Sequence, residues 1–140
     1  MCDLARLAAV YGPGKQQLGL QRLIRDAEAG NLFLGGVEIR GRNVVLLKAT
    51  RGLCNPWQFR IRGLYTNSRC RQQGLATQLL RLAVATIFDQ YQGQEVLSFI
   101  VPTNQASIAV HVKVGFVPVA IQPQPAHHCC YRLCRAGTDN

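Results

Sequence analysis

The stretch from Ile61 to Ala85 constrains the fold of this chain more than any other. Its first residues, I-R-G-L-Y-T, combine apolar and aromatic side chains that suit a pleated, half-buried strand. Asn67 and Ser68 then start a polar turn, which ends at Gly74. The apolar residues that follow recur at helical spacing: Leu75, Ala76, Leu79, Leu80, Ala83 and Ile87. The chain is therefore expected to place a strand, a basic turn and a helix in immediate succession.

The junction between the turn and the helix has the chemistry of an anion site. The first N–H groups of a helix have no acceptor within it, and the helix dipole adds partial positive charge there. A phosphate can accept hydrogen bonds from these groups. Arg69 and Arg71 add charge just ahead of the helix, and Gly74 allows a close approach. These residues predict a bound phosphate group, with an ordinary strand–turn–helix and solvated arginines as the alternative.

Two segments resemble a known family. R-Q-Q-G-L-A, from Arg71 to Ala76, is similar to the acyl-CoA-binding signature Q/R-x-x-G-x-G/A of the GNAT superfamily of acyltransferases. Downstream, N-Q-A-S-I-A-V-H-V-K-V-G-F, from Asn104 to Phe116, resembles the N-x-x-A/S-x-x-x-Y-x-K-x-G-F segment of that family. The two segments stand in the family's order at a plausible spacing. The resemblance covers residues 37–133, and residues 1–36 match only loosely.

The resemblance implies an α/β (α+β) fold with a mixed, mostly antiparallel, curved central sheet and helices on both faces. Residues 1–140 are expected to form a single domain, with a helical part at 1–36, a core at 37–133 and a frayed tail at 135–140. Family members open with a strand before the first helix, and this chain starts too late to supply one. That strand is expected to be missing, or the given start lies inside a longer reading frame.

Local patterns predict the individual elements. Helices are expected at Asp3–Tyr11, Lys15–Ala29 and Gly74–Gln90, and strands at Leu32–Ile39, Asn43–Ala49, Gln58–Thr66, Val96–Val101, Phe116–Ile121 and His127–Leu133. In residues 104–114 the alternation of apolar and polar residues favours a strand. Asn104 is a good helix cap and Gly115 a good C-terminal stop, and the resemblance also favours a helix. We therefore predict a helix there.

The resemblance implies acetyl-CoA, or another short acyl-CoA, as co-substrate. Backbone N–H groups from Gln73 to Ala76 would hold the pyrophosphate, and backbone groups of Leu64 and Thr66 would pair with the pantetheine arm. Asn104 would lie near that arm, although capping the helix alone explains it. The expected cofactor-binding residues are Leu64, Tyr65, Thr66, Arg69, Arg71, Gln72, Gln73, Gly74, Leu75, Ala76, Thr77 and Asn104.

Three residues are candidates for catalysis. His111 stands where many family members have a tyrosine near the departing thiolate, and an imidazole can donate a proton near neutral pH. A partly buried helix histidine without a catalytic role is the alternative. Tyr65 is a second candidate for the acid. Glu38 is the candidate base, although a salt bridge within its own hairpin is the simpler interpretation.

Charge indicates the kind of acceptor. The formal net charge is +9, and Glu38 is the only acid between residues 31 and 88. A groove lined by Arg40, Arg42, Arg60 and Arg62 should repel polyamines and aminoglycosides and favour an acceptor that carries acidic groups. A solvated basic face is the alternative for part of this charge.

The predicted function is transfer of an acetyl or other short acyl group from acyl-CoA to a primary amine, by direct attack in a ternary complex. Two alternatives remain open. One is a non-catalytic CoA-binding sensor or partner subunit, and the other is an acyltransferase that acts on a nucleic-acid-associated amine. A steep salt dependence of RNA binding would support the latter.

The cysteine and hydropathy patterns indicate the cellular compartment of the protein and whether it binds metal or a membrane. Six cysteines without an export signal indicate reduced thiols and a cytoplasmic protein rather than a disulfide framework. His127, His128, Cys129 and Cys130 alternate between the two faces of the predicted last strand, so no metal is expected. No apolar run is long enough to span a bilayer, so no membrane partner is expected. The protein is expected to be a monomer or a homodimer.

Overall fold

The computed structural model describes residues 29–70, 74–120 and 128–137. The two helices expected ahead of residue 30 lie outside this range, apart from Ala29, which is in a turn. The elements are β1 (Leu32–Ile39), β2 (Arg42–Arg51), β3 (Gln58–Thr66), α1 (Leu75–Gln90), β4 (Glu95–Ile100), α2 (Gln105–Val114), β5 (Val117–Val119) and β6 (Cys129–Cys134). A short 3-10 turn, Ser68–Cys70, follows β3. The expected mixed α+β fold is confirmed.

The described strands form one six-stranded sheet in the order β1-β2-β3-β4-β6-β5. β3 and β4 are parallel, and every other neighbouring pair is antiparallel. The β1–β2 hairpin turns at Arg40 and Gly41, where both φ angles are positive, at 51° and 77°. This is the backbone that a two-residue hairpin turn requires, and glycine adopts it without a steric penalty.

The core lies between α1 and one face of the sheet. Leu79, Leu80, Ala83 and Ile87 on α1 are buried, as the helical spacing predicts. They belong to the same cluster as Val45, Leu47, Ala49, Phe59 and Ile61 on β2 and β3. Each large apolar side chain in this layer contributes about 1.5–3 kcal/mol by leaving water. This packing fixes α1 against β3 and so fixes the junction between them.

β3 and β4 pair over only part of their length. The parallel register runs from Gln58 opposite Glu95 to Ile61 opposite Ser98. Beyond Ile61, β3 continues to pair with β2 up to Thr66 but no longer pairs with β4. Arg62 is an extra residue in β3, because Lys48 faces Gly63 while Ala49 faces Ile61. Such a bulge bends and twists a strand locally. It marks the point where a gap opens between β3 and β4.

Residues 104–114, where apolar alternation favours a strand and the caps favour a helix, contain the helix α2. The Asn104 side chain accepts a hydrogen bond from the Ser107 N–H at 3.2 Å, and Gly115 ends α2 with a φ of 115°. The apolar residues of α2 are not gathered on one face, because Val112 is exposed while Ile108 and Val110 are half-buried. The two caps therefore predict this helix better than hydrophobic periodicity does.

The last strands differ from the expectations mainly at their ends. β4 is buried at three consecutive residues, Val96 to Ser98, as expected for a strand covered on both faces. It ends at Ile100, and Val101 is exposed. β5 is shorter than expected, because Phe116 lies in the core ahead of it and the expected end at Ile121 falls outside the described residues. In the part of the chain that the structure describes, no helix is long and apolar enough to cross a membrane.

Arg51 connects three segments at one end of the sheet. Its guanidinium donates to the carbonyl oxygen of Gly30 at 2.9 Å and to that of Tyr91 at 2.9 Å, and also to that of Pro56. It also lies over the Phe59 ring, 4.6 Å from the centroid. One side chain thus ties the start of β1 and the end of α1 to the loop before β3.

We expect Arg51→Met to destabilise the protein by about 2 kcal/mol, because charge-assisted hydrogen bonds to three carbonyl groups are lost while the apolar stem remains. The measurement is the free energy of unfolding in urea. Arg42→Met removes an exposed arginine from the hairpin and is the matched control, with little change expected. Equal losses in the two variants would contradict the role given to Arg51.

Candidate functional site

The N-terminal end of α1 is open and lacks a side-chain cap. Gly74 occupies the cap position with a φ of 74°, and among the described residues no side chain caps the helix there. The first intrahelical bond runs from the Gln78 N–H to the Gly74 oxygen at 3.0 Å. The N–H groups of Leu75, Ala76 and Thr77 therefore precede the helical ladder. The helix carries no acidic residue in its first turn, so the positive end of its dipole is not offset locally.

Open space lies next to Gly74. An ideal Cβ atom built at this residue meets no atom of the described residues within 4 Å, its two chain neighbours aside, and the residue is exposed. At α2, in contrast, the Asn104 side chain occupies the equivalent position and bonds to Ser107. The capping role predicted for Asn104 is therefore observed, and its contact with a cofactor stays a prediction. The two helices differ in one respect that matters for binding: only the α1 end is left open for an anion.

The turn between β3 and α1 is partly described. The Arg69 N–H donates to the Asn67 side chain at 3.0 Å, which closes the turn that the sequence predicts there. The Arg69 side chain is exposed. Residues 71–73 lie outside the described residues, so the predicted contacts of Arg71, Gln72 and Gln73 stay predictions.

The second half of β3 presents backbone groups to the gap. The Asn67 N–H donates to the Val44 oxygen at 2.7 Å, so residue 67 bonds toward β2. In an antiparallel pair, residues that bond toward the partner strand alternate with residues that bond away from it. Thr66 and Leu64 therefore direct their N–H and C=O groups away from β2, toward the side on which β4 has parted. The Tyr65 side chain is 48% exposed.

His111 is buried and already engaged. Its exposed fraction is 1%, and its ring meets Phe116 edge-on with centroids 4.9 Å apart. Nδ1 lies 2.7 Å from the Ser107 carbonyl oxygen, which only accepts, so Nδ1 carries the hydrogen. Nε2 is buried and has no hydrogen-bond partner among the described residues. Burial lowers the pKa of His111, and the hydrogen bond to Ser107 opposes this effect only in part.

This state of His111 bears on its predicted role. A neutral imidazole whose proton sits on Nδ1 offers Nε2 as an acceptor and has no proton there to give. In the described state, His111 is suited to accept a hydrogen bond rather than to protonate a thiolate. The proton-donor role expected from the resemblance stays a prediction.

Glu38 lies away from the gap. It lies on the edge strand β1 opposite Asn43, directly after the point where Val44 of β2 is the extra residue, and it is exposed. β2 separates β1 from β3, so two strand spacings, about 10 Å, lie between the Glu38 backbone and β3. Its expected role as general base stays a prediction.

The four arginines expected to line one groove do not lie together. Arg60 faces Thr50, and the Arg62 Nε donates to the Thr50 Oγ1 at 2.9 Å. Arg40 and Arg42 lie at the hairpin turn, and Arg42 is eight residues from Thr50 along β2, or about 26 Å. The expectation of a single groove was therefore wrong. Strand register determines which arginines lie close together, and the positions of basic residues in the sequence do not give that register.

One further arginine joins Arg60 instead. Arg60 faces Leu97, and Leu97 faces Arg132 on β6, so the two arginines lie in one row across the sheet. Sequence reasoning missed Arg132. The alternation of β6 assigns it to one face, but only the β4–β6 register shows that this face is the one carrying Arg60.

The cysteines of β6 occupy opposite faces, as their adjacency predicts. Cys130 is buried and Cys129 half-buried, and neither of them forms a disulfide bond. Within the described ranges, no three His, Cys, Asp or Glu side chains are grouped in a way that could hold a metal ion.

Burial of neutral His111 should make stability pH-dependent. Since the folded pKa lies below its ordinary value of 6.5, the unfolded chain binds the proton more readily. This stability is fully present above 6.5 and is lost as the pH falls from 6.5 through the lowered folded pKa. In urea unfolding across this window, His111→Phe should show a shallower fall than the wild type. A slope in His111→Phe equal to that of the wild type would contradict this account.

The chain matches the acetyltransferase (GNAT) family over residues 13–116. No curated protein matches it significantly. Among solved structures, it is similar to the ribosomal-protein-S5-alanine acetyltransferase from Vibrio fischeri, with a TM-score of 0.76 and 13% identity over 89% of this chain and 73% of that one.

Two further structures are similar in fold and carry ligands. The first is RimJ of Mycobacterium smegmatis in complex with a CoA disulfide, with a TM-score of 0.71 and 21% identity over 84% of this chain and 59% of that one. The second is the microcin C7 self-immunity acetyltransferase MccE in complex with acetyl-CoA and AMP, with a TM-score of 0.72 and 11% identity over 86% of this chain and 71% of that one. Because the family match spans most of the sequence and the fold agrees with it, the chain belongs to the acetyltransferase (GNAT) family.

Proposed function

We propose that the protein transfers an acetyl group from acetyl-CoA to a primary amine by direct attack in a ternary complex. One observation carries the proposal: the uncapped N-terminal end of α1 lies directly after the half of β3 that has parted from β4. CoA carries phosphate groups at one end and an amide-bearing arm at the other. The open helix end suits the phosphate groups, and the unpaired half of β3 suits the arm.

The residues fit the co-substrate at the phosphate end. The N–H groups of Leu75, Ala76 and Thr77 can donate to pyrophosphate oxygens, and the open space beside Gly74 allows the approach. Arg69, exposed in the preceding turn, adds positive charge. Arg71, Gln72 and Gln73 complete the proposed pyrophosphate site.

The second half of β3 would hold the arm and the thioester. Backbone groups of Leu64 and Thr66 would pair with the amides of the arm, as an added strand would. An N–H group at this end of the strand would donate to the thioester carbonyl oxygen and stabilise its developing charge. The amine nitrogen would attack the carbonyl carbon, forming a C–N bond while the C–S bond breaks and CoA leaves as a thiolate.

Orientation is expected to contribute most of the catalysis. With Nδ1–H bonded to Ser107, His111 offers no proton at Nε2, and Glu38 lies two strands away from β3. A water chain is the proposed route for the proton that the amine loses. Holding amine and thioester together in reacting geometry can by itself lower a barrier substantially.

The acceptor is proposed to be an amine that carries acidic groups. The similar Vibrio fischeri protein is described as an acetyltransferase for an alanine of a ribosomal protein. A free peptide N-terminus is therefore a reasonable first amine to test on this chain. A cation such as a polyamine suits the basic chain poorly.

A second function is favoured by the state of His111. A CoA-binding protein without a proton donor or base at the gap would serve as a sensor or partner subunit rather than as an enzyme. The buried, engaged imidazole is the observation in its favour.

We expect Gly74→Glu to abolish acetyl-CoA binding measured by calorimetry, because its side chain would place bulk and negative charge where the pyrophosphate is proposed to lie. Gly41→Glu is the matched control: Gly41 has a φ of 77° and the same open surroundings, but lies in the hairpin turn. Both substitutions carry a similar backbone strain of about 1–2 kcal/mol. Retained binding in Gly74→Glu would overturn the proposed site.

Thiol release from acetyl-CoA separates the enzyme from the sensor. We expect release to depend on an added primary amine and to be faster with acceptors carrying a carboxylate or phosphate than with spermidine. Acetyl-CoA binding without release for any amine would support the sensor, and strong turnover of spermidine would contradict the proposed acceptor.

A further inference from the structure

Three arginines lie on the sheet face opposite the α1 core. We call Arg60, Arg62 and Arg132 the arginine cluster. Phe59 and Ile61 on β3 belong to the core with α1, so the intervening Arg60 side chain faces the other way. Arg60 and Arg132 are separated only by Leu97, which puts their backbones about 10 Å apart across two strand spacings. Arg62 lies on the same face, since it bonds to Thr50, which faces Arg60.

Packing orients Arg60. Its guanidinium lies over the Phe99 ring, 4.1 Å from the centroid, within the range of a cation–π contact. Burial and then the neighbouring charge of Arg62 lower the pKa of Arg60, and no described carboxylate contributes to that pKa. Two like charges are therefore held close together, and no carboxylate of the described residues lies between them. Such a pair gains free energy when an anion binds it.

Two further ionisable residues near the arginine cluster, Cys130 and Glu95, show how far the positive charge extends. Cys130 lies on this face opposite Phe99. Burial and then the charge of Glu95 raise the pKa of the Cys130 thiol, while the charges of Arg60 and Arg132 lower it, so both arginines lie near enough to act on this thiol. Glu95 forms the rim of the cluster at the start of β4, where its carboxylate accepts a hydrogen bond from the Gln58 side chain at 2.9 Å. The described part of this region thus contains three arginines and one carboxylate, that of Glu95.

The cluster lies at the entrance to the gap. Arg62 is the bulge residue at which β3 leaves β4, and Arg60 precedes it by two residues on the last paired stretch. Arg62 is exposed and Arg60 and Arg132 are half-buried, so all three are accessible on this face. A molecule whose amine reaches the gap from this side brings its neighbouring groups over the arginines.

We infer that the arginine cluster binds a carboxylate or phosphate group of the acceptor, next to the amine that is acylated. The inference rests on the proposed function, because it assigns the acceptor side of the same site. Guanidinium groups form bidentate bonds with both anions, and the cluster is therefore expected to select acidic peptides over neutral or basic ones.

The test uses short peptides with a free N-terminal alanine followed by aspartates, phosphoserines, serines or lysines. Each peptide carries a fluorophore at its C-terminus, and its anisotropy is measured with the full chain and saturating CoA. Arg62→Glu reverses one charge in the cluster. Arg42→Glu makes the same change in net charge at the hairpin turn, about 26 Å along β2 from Thr50, the hydrogen-bond partner of Arg62. The aspartate and phosphoserine peptides show which of the two anions is preferred.

We expect both anionic peptides to bind more tightly than the serine and lysine peptides. Arg62→Glu should weaken their binding by about tenfold or more, while Arg42→Glu changes it by less than about twofold. Equal losses in the two variants would mean non-specific attraction and would overturn the inference. Equal binding of all four peptides, or tighter binding of an RNA oligonucleotide with the same dependence on Arg62, would also overturn it.

Acetylation of the same peptides is followed by mass spectrometry, so that the two proposals fail separately. Binding with the expected pattern but without acetylation would uphold the arginine cluster and contradict acetyl transfer. Acetylation that ignores peptide charge and Arg62→Glu would uphold acetyl transfer and contradict the cluster.

Discussion

The partial pairing of β3 with β4 is the constraint on which the candidate site depends. The two strands are the only parallel neighbours in the described sheet, and their register stops at Ile61 and Ser98. One extra residue in β3, Arg62, coincides with this point. α1 packs against β3 through a shared apolar core. The open N-terminal end of α1 is therefore held close to the unpaired backbone edge of β3. A sheet paired along its full length would leave no such edge available.

Much of the fold could be predicted from local sequence, and the reasons differ between elements. The half-buried pattern of β3 predicts its bounds. The two caps of α2 predict a helix, although the alternation of apolar and polar residues there favours a strand. The arrangement of the arginines could not be predicted in this way. Arg40, Arg42, Arg60 and Arg62 look alike in the sequence, and only strand register places two of them at a hairpin turn and two at the gap.

His111 shows why a resemblance in sequence does not settle a mechanism. It stands at the position where the family pattern has a tyrosine, but its chemistry depends on burial and on one hydrogen bond. Nδ1 donates to the helix carbonyl of Ser107 and burial lowers the pKa of the imidazole, so in the neutral ring Nε2 can only accept. Catalysis in this protein is then expected to rest on the placement of the two substrates and on backbone donors, and less on an acid supplied by a side chain.

Backbone hydrogen exchange with and without CoA tests the central claim most directly, since that claim concerns main-chain N–H groups. We expect CoA to slow exchange at Leu64 and Thr66 on β3 and at Leu75, Ala76 and Thr77 on α1. The first turn of α2, where Asn104 already caps the helix, should be unaffected. Unchanged exchange at β3 and α1 under conditions in which CoA binds would contradict the account.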